Sequence, residues 1–449
     1  MRKMVRLNNQ NAKSIGFFSL VCLVVANMIG SGLYTSSGFA LASLGRPDLV
    51  MWVWGIAGIM ALCGAIAYGA IAKRLPDSGG EYLYLSRLIH PSVGFLAGWI
   101  SLVAGFTGPI AAAALVFAVY ADSTIMKEWN LDQKTMASFV IIAATLVHAL
   151  RLQAGLWTQN VAVVVKIVGL GTLIVWGITN LQSSAAYSGV IPTIESAQPS
   201  TFFVASSMLS SLVWISLSYT GFNAAVYVAG ESKNARAIVP MAMLIATVLV
   251  TVIYLCLNYL FLYGCAPETI AGEPKIAEIA AKAIGGVWMS RLMTATILLS
   301  SWTSVLSLLM TGPRVYAKMA DDQLLPRLFR RSNDVPQVAI LVQAILSIAM
   351  IYASNLRDLI GFLGLTLTAC GAMTIASIWR IKHVYPDAPS LKWYEQIASA
   401  VFIILTCSMI LVASTFQAPQ FYTMLVTFAS GLILYGLSKK FMLRLQPSE

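Results

Sequence analysis

The stretch that decides the reading is Asn27-Met28-Ile29-Gly30-Ser31-Gly32, set in the middle of an apolar run from Ser14 to Ala40. A second such stretch, Ser218-Tyr219-Thr220-Gly221, interrupts the apolar run from Phe202 to Gly230. In hydrocarbon an unpaired backbone amide or carbonyl costs on the order of several kcal/mol, so irregular backbone survives there only where it lines a cavity. Two breaks at corresponding places in the two halves of a membrane protein point to a solute site at mid-depth, the pattern of a secondary transporter. Ordinary glycine kinks are the simpler alternative, but they have no reason to fall at matching positions.

Working outward, the chain has 449 residues, 58% hydrophobic and 10% charged, with mean hydropathy +0.78. Soluble domains carry about 25% charged residues, so this composition excludes one and indicates a polytopic membrane protein. A helical span needs about 20 apolar residues. Twelve segments qualify, at 15–39, 49–72, 93–118, 137–150, 157–178, 202–230, 240–263, 289–316, 337–354, 358–379, 394–415 and 421–438. The loops leave no room for a soluble domain, so one transmembrane domain is expected over 1–449. The outer loops 179–200 and 264–288 are the longest, and Pro267 to Lys282 could hold a short surface helix. The first five spans (15–178) and the next five (202–379) have similar lengths, and each set opens on a broken helix. An odd number of spans per set forces opposite orientations, an inverted repeat. The last two spans (394–438) are left over.

A net charge of +11 could suggest nucleic acid, but its distribution speaks for a membrane. With the N-terminus inside, only Arg46, Lys127, Lys134, Lys275, Lys282, Arg291 and Arg357 fall on outer segments. Lys166 lies within a span, and the remaining lysines and arginines are on inner segments. This positive-inside bias places both termini in the cytoplasm. No nucleic-acid partner is expected. The basic start, apolar run and Ala40-Leu41-Ala42 imitate a signal peptide, but the run is long, polar-broken and followed by many spans, which reads as an uncleaved first helix. The six cysteines (Cys22, Cys63, Cys256, Cys265, Cys370, Cys407) show no metal-ligand spacing and sit mostly within spans. They predict no structural disulfide, no metal and no cofactor. The three histidines are scattered and no nucleophile–base arrangement appears, so catalysis is not expected. A transport-inactive sensor has no appended signalling domain to support it.

Four stretches carry a resemblance. They are Asn27 to Gly32; Pro76-Asp77-Ser78-Gly79-Gly80-Glu81-Tyr82-Leu83-Tyr84; Ser218 to Asn223 with Glu231 to Arg236 and Pro240; and Thr311-Gly312-Pro313-Arg314-Val315-Tyr316 through Leu324-Leu325-Pro326. Each alone is modest, and four in order are specific. The chain resembles the amino acid–polyamine–organocation family, nearest its L-type amino acid permeases, over spans one to ten. Ala235 departs from it where the family usually has proline. The resemblance implies a leucine-transporter-like fold with helices 1 and 6 broken, moving amino acids by alternating access. An amine or polyamine antiporter of the same family is the alternative.

A zwitterion needs an anion hole and a cation hole a few ångströms apart. The helix resuming after Gly32 offers free N–H groups for a carboxylate. Free carbonyls near Asn27-Met28-Ile29 and Leu217-Ser218 suit an ammonium. Gly30, Gly32 and Gly221 let a substrate approach bare backbone. The expected binding residues are therefore Asn27, Met28, Ile29, Gly30, Ser31, Gly32, Ser218, Tyr219, Thr220, Gly221, Phe222 and Asn223. By the resemblance, Phe222 acts as an outer gate, and Asn223 bonds substrate or broken backbone. Tyr227 is a further wall residue, with core packing the simpler role.

Lys166 lies nine residues into span five, about 14 Å deep at ~1.5 Å per residue. A lysine there costs about 2.5–3.5 kcal/mol and is normally paired or functional. In the family resembled, a lysine here takes the place of a sodium ion. It would act either as a fixed cation, giving sodium-independent exchange, or as a proton carrier. Ser300, Ser304 and Ser307 share one helix face and could line the pathway near Lys166. Gly105 to Pro109 bends span three toward the substrate side. All eighteen carboxylates fall in loops or near span ends, which favours neutral substrates. The loop 119–136 contains no cysteine, whereas L-type exchangers of animals use one there to join an accessory subunit, so none is expected here.

Overall fold

The computed structural model describes residues 15–121, 131–149, 156–181, 201–329 and 337–445. The N-terminal basic run, half of loop 119–136 and most of loop 179–200 lie outside these, as do Arg151, Arg330 and Arg331. Within them the chain is helical, and the one β-type contact is an isolated bridge between Ile15 and Ser232.

The first apolar run forms α1 (Phe17–Met28), a 3-10 turn at Ser31–Tyr34, and α2 (Ser36–Leu44), which Gly45 ends with φ +68°. The left-handed stop turns the chain into α3 (Pro47–Arg74), with Pro47 and Asp48 at its start and Lys73 and Arg74 in its last turn, matching the helix dipole. Then come α4 (Gly80–Leu88) and α5 (Pro91–Ile100). The π-helical stretch Ser101–Thr107 joins α5 to α6 (Gly108–Ala121). Pro109 has no N–H to give, and the ladder loosens in the turn before it. The remaining elements of the first half are α7 (Gln133–Ala149) and α8 (Leu156–Asn180).

The second run forms α9 (Thr201–Tyr219), a turn, and a 3-10 segment at Ala224–Glu231. It is followed by α10 (Ala235–Tyr263), the short α11 (Pro267–Ile270) and α12 (Ile276–Asp321), which is broken at Gly285 and Gly286 (φ +67°). The surface helix expected in 267–282 is thus four residues long, and the helix of span eight begins at Ile276, ahead of a kink. Then follow α13 (Gln337–Ala353), α14 (Leu356–Ala376), a turn at Ser377–Arg380, and α15 (Ile381–Val384). The chain closes with α16 (Trp393–Phe416) and α17 (Ala418–Leu445).

Nine helices among the described residues are long and apolar enough to cross a membrane, and three shorter apolar helices match the first, fourth and ninth expected spans. Large apolar side chains face outward on the peripheral helices, for example Val164, Val168 and Trp176 on α8 and Leu411 on α16. A soluble protein would bury them, whereas acyl chains accept them.

The two broken elements run in opposite directions. The Ile15 N–H donates to Glu231 O at 3.0 Å, and Ser232 Oγ donates to Ile15 O, which puts the start of α1 beside the end of the second broken element on one face. At the other face α2 packs on α9, and Gly272 N–H donates to Gly38 O at 2.8 Å.

Candidate functional site

The breaks touch. A Cβ on Gly32 would lie 2.5 Å from Ser218 Oγ, and one on Gly221 would lie 2.8 Å from the Asn27 carbonyl. Gly221 also has φ +96°, which glycine alone adopts without strain. The α1 ladder ends as Ile29 N–H donates to Val25 O, and the chain passes extended through Gly30 before the 3-10 turn. No side chain caps that turn. The helix proper resumes at Ser36 rather than directly after Gly32.

The carbonyls freed by α1 find donors on neighbouring helices. Tyr254 of α10 has its hydroxyl 2.6 Å from Met28 O and 2.9 Å from Ser218 O, joining both breaks through one side chain. Lys166 is 2% exposed and donates to Ile29 O at 3.1 Å, while Ser300 Oγ donates to the same oxygen at 3.3 Å. Tyr254 was not foreseen, because only the packing of α10 beside α1 brings it there.

A cavity of about 150 Å³ lies against the breaks. Asn27, Met28, Gly30, Ser31 and Gly32 line it from the first broken element, and Tyr219 to Asn223 from the second. Ile29 and Ser218 stand behind this wall, Ile29 fully buried and Ser218 2% exposed. Lys166 stands behind it too and does not line the cavity. Ser304 and Ser307 do line it, and their hydroxyls have no partner among the described residues. Ser300 instead joins Lys166 on Ile29. Gly105, Phe106 and Pro109 contribute from the bent third span. Tyr227 is a wall residue as well as a packed one: its ring stands against Phe106 and Gly80. Phe402 of α16 also reaches the cavity, so the leftover helices take part.

Two sequence expectations need correction. Phe222 follows the second break, on the side of the face shared by Ile15 and Glu231, and its ring stands edge-on to Tyr68 and Phe402. The outer gate expected at Phe222 and the cytoplasmic N-terminus expected from the charge bias therefore exclude each other, because both lie toward the one face. Away from that face, the Arg357 guanidinium lies 5.0 Å from the Trp214 ring centre and 5.8 Å from that of Phe39. The second correction concerns charge. Glu81 belongs to a connecting segment in the sequence, yet α4 folds it to 5% exposure in the cavity wall. Its Oε1 accepts from the Tyr68 hydroxyl and from Asn223 Nδ2 at 3.2 Å, and its Oε2 accepts from Cys370 Sγ at 3.5 Å. Burial raises its pKa, and the Tyr68 and Cys370 hydrogen bonds offset that only in part.

All six cysteines are free thiols, and no described cluster of histidine, cysteine or carboxylates could hold a metal.

Comparison with known proteins places this architecture. A family model described as amino acid permease matches residues 15–436. The large neutral amino acids transporter small subunit 2 of Homo sapiens is 25% identical over 388 residues, covering 84% of this chain and 71% of that protein. The b(0,+)-type amino acid transporter 1 of Mus musculus is 25% identical over 435 residues, with 95% and 88% covered. The serine/threonine exchanger SteT of Bacillus subtilis (strain 168) is 24% identical over 356 residues, covering 78% of each chain.

Proposed function

Because this chain belongs to the amino acid permease family, we propose that it is a secondary active transporter carrying amino acids, neutral ones foremost, by alternating access. It works without sodium, as an exchanger or a proton symporter. The observation that carries this reading is the contact of two oppositely running broken helices at the cavity, where main-chain groups face the space a zwitterion would fill.

The substrate carboxylate lies against the amides of Gly30, Ser31 and Gly32, where helical bonding has not yet begun. The ammonium lies toward the Asn27 and Tyr219–Thr220 side, and Ser304 and Ser307 offer spare hydroxyls across the cavity. Lys166 and Ser300 hold the Ile29 carbonyl, the position at which a sodium-coupled relative would hold its ion, and this supports sodium independence.

An inverted repeat supports alternating access. Exchanging the first broken helix with α9, α3 with α10, α6 with α12, α7 with α13 and α8 with α14 maps one set of packed pairs onto another. Thus α1–α10 becomes α9–α3, α1–α8 becomes α9–α14, and α12–α8 becomes α6–α14, all of which are packed. The whole chain then acts as one transporter domain, with both termini in the cytoplasm and, in a bacterium, in the inner membrane.

A second reading, an antiporter of amines or cationic amino acids, is favoured by the Glu81 carboxylate in the wall. Against it, both Glu81 oxygens already accept hydrogen bonds from the protein. Counterflow in liposomes with labelled neutral amino acids, cationic amino acids and polyamines separates the two. Each is run with and without internal substrate, sodium and a pH gradient. Neutral amino acids exchanging without sodium is the expected result; polyamine counterflow alone would replace this reading with the second.

A further inference from the structure

Glu81 sits where four parts of the molecule meet. Its own helix α4 bridges two spans, Tyr68 comes from α3, Asn223 from the turn after the second break, and Cys370 from α14. α4 also underpins the neighbouring wall: Tyr227 packs directly on Gly80, and Ser78 Oγ accepts from Gly230 N–H at 2.8 Å. The short chain from Gly221 to Glu231 is thus held at both its ends and its middle by the segment 78–81.

The charged surroundings are sparse. None of the ion pairs among the described residues includes Glu81. The titratable groups facing it are Tyr68, Tyr227 and Cys370, of which Tyr68 and Cys370 donate to it and none brings a positive charge. On its own helix Arg87 pairs with Asp77 at the surface, and Tyr82 reaches away to Asp322. On the elements packed against α4, His90, Glu231, Arg380, Lys382 and His383 are exposed. Among the described residues the carboxylate therefore has hydrogen-bond donors but no countercharge.

An ionised carboxylate only accepts, so three donors on its two oxygens suit the charged form. Burial without a countercharge suits the neutral form. The two demands oppose each other, and a proton settles the balance. When a proton binds, the carboxyl loses its negative charge, and the Asn223 amide then donates to a neutral acceptor, a weaker hydrogen bond than one to a carboxylate.

We propose that Glu81 is a proton-binding site of this carrier, and that its ionised form latches the chain after the second break onto the cavity floor through Asn223. Proton binding loosens that latch. The transport arm of this proposal rests on the amino acid transport reading; its spectroscopic arm does not.

The test compares wild type with Glu81→Gln, the neutral isostere. Infrared difference titration of purified protein should show a protonated-carboxyl C=O band that is absent in Glu81→Gln, with a midpoint above that of an ordinary glutamate. In liposomes a pH gradient should drive amino acid accumulation by wild type, and Glu81→Gln should lower the ratio of accumulation to counterflow measured on the same preparation. Identical infrared titrations, or the same pH dependence of transport in both proteins, would overturn the proposal. If Glu81→Gln does not fold, Glu81→Asp replaces it: a shorter acid should keep accumulation but shift its pH profile, and an unshifted profile rejects the idea. A wild type that moves no amino acid rejects the transport reading alone, and the infrared arm then decides Glu81.

Discussion

Lys166 stood out in the sequence for its depth in an apolar helix, and the structure gives it a specific partner, the Ile29 carbonyl. Lys166→Ala should abolish or strongly reduce amino acid exchange in liposomes; unchanged transport with an unchanged pH profile would remove both its fixed-cation and its proton-carrying roles. Tyr254 could not be found from the chain, since a tyrosine in a long apolar helix is unremarkable until its neighbours are known. Tyr254→Phe removes the donor from Met28 O and Ser218 O, and each buried carbonyl left unmet costs about 1–3 kcal/mol. A lower melting temperature in detergent, together with weaker substrate protection, is the expected outcome. For Glu81 the sign of the pH effect follows from its raised pKa. The folded protein keeps a proton that the unfolded chain releases, so stability falls as pH rises from the ordinary glutamate value to the raised one. Thermal unfolding of Glu81→Gln across that window should lack this slope.

Among the elements, the breaks in the two apolar runs were readable because glycine and serine interrupt otherwise unbroken hydrophobic sequence. What the sequence left open was which side chains of each break face the cavity, since that depends on the twist of an irregular turn. Phe222 shows this: its place in the sequence beside the break is clear, but its side of the break follows from the antiparallel run of the two elements. Glycine substitutions test the contact itself. Gly221→Ala meets both a left-handed backbone, costing about 1–2 kcal/mol, and the Asn27 carbonyl. Gly32→Ala meets Ser218. Both should lose substrate-dependent thermal stabilisation. Gly55→Ala in α3, with nothing within 4 Å of the added Cβ, should leave transport unchanged and serves as the control.

For the whole molecule, α16 and α17 add a buttress to the paired sets of helices. Arg74 at the end of α3 is 3% exposed and pairs with the buried Glu395 of α16 at 2.9 Å, while also donating to Pro389 O and Ser390 O. Arg74→Met would leave the buried Glu395 with Lys73 at 3.7 Å and the Lys392 N–H at 3.0 Å, so a loss of about 3 kcal/mol is expected, read as a fall in melting temperature. If that melting temperature is unchanged, α16 is not tied to the core through this pair.

By itself the sequence determined that the chain is a helical membrane protein with two interrupted spans, because hydrophobicity, length and charge bias are local or additive properties of the chain. It also determined the family resemblance, through short motifs in order. Only the tertiary structure decided that the two interruptions touch, that Tyr254 joins them, and that Glu81 is a wall residue rather than part of a solvated connection. Those facts depend on how helices distant in sequence cross and on how a connecting segment folds back. Hydrogen bonds such as Glu81 to Asn223, 142 residues apart, leave no periodic trace along the chain.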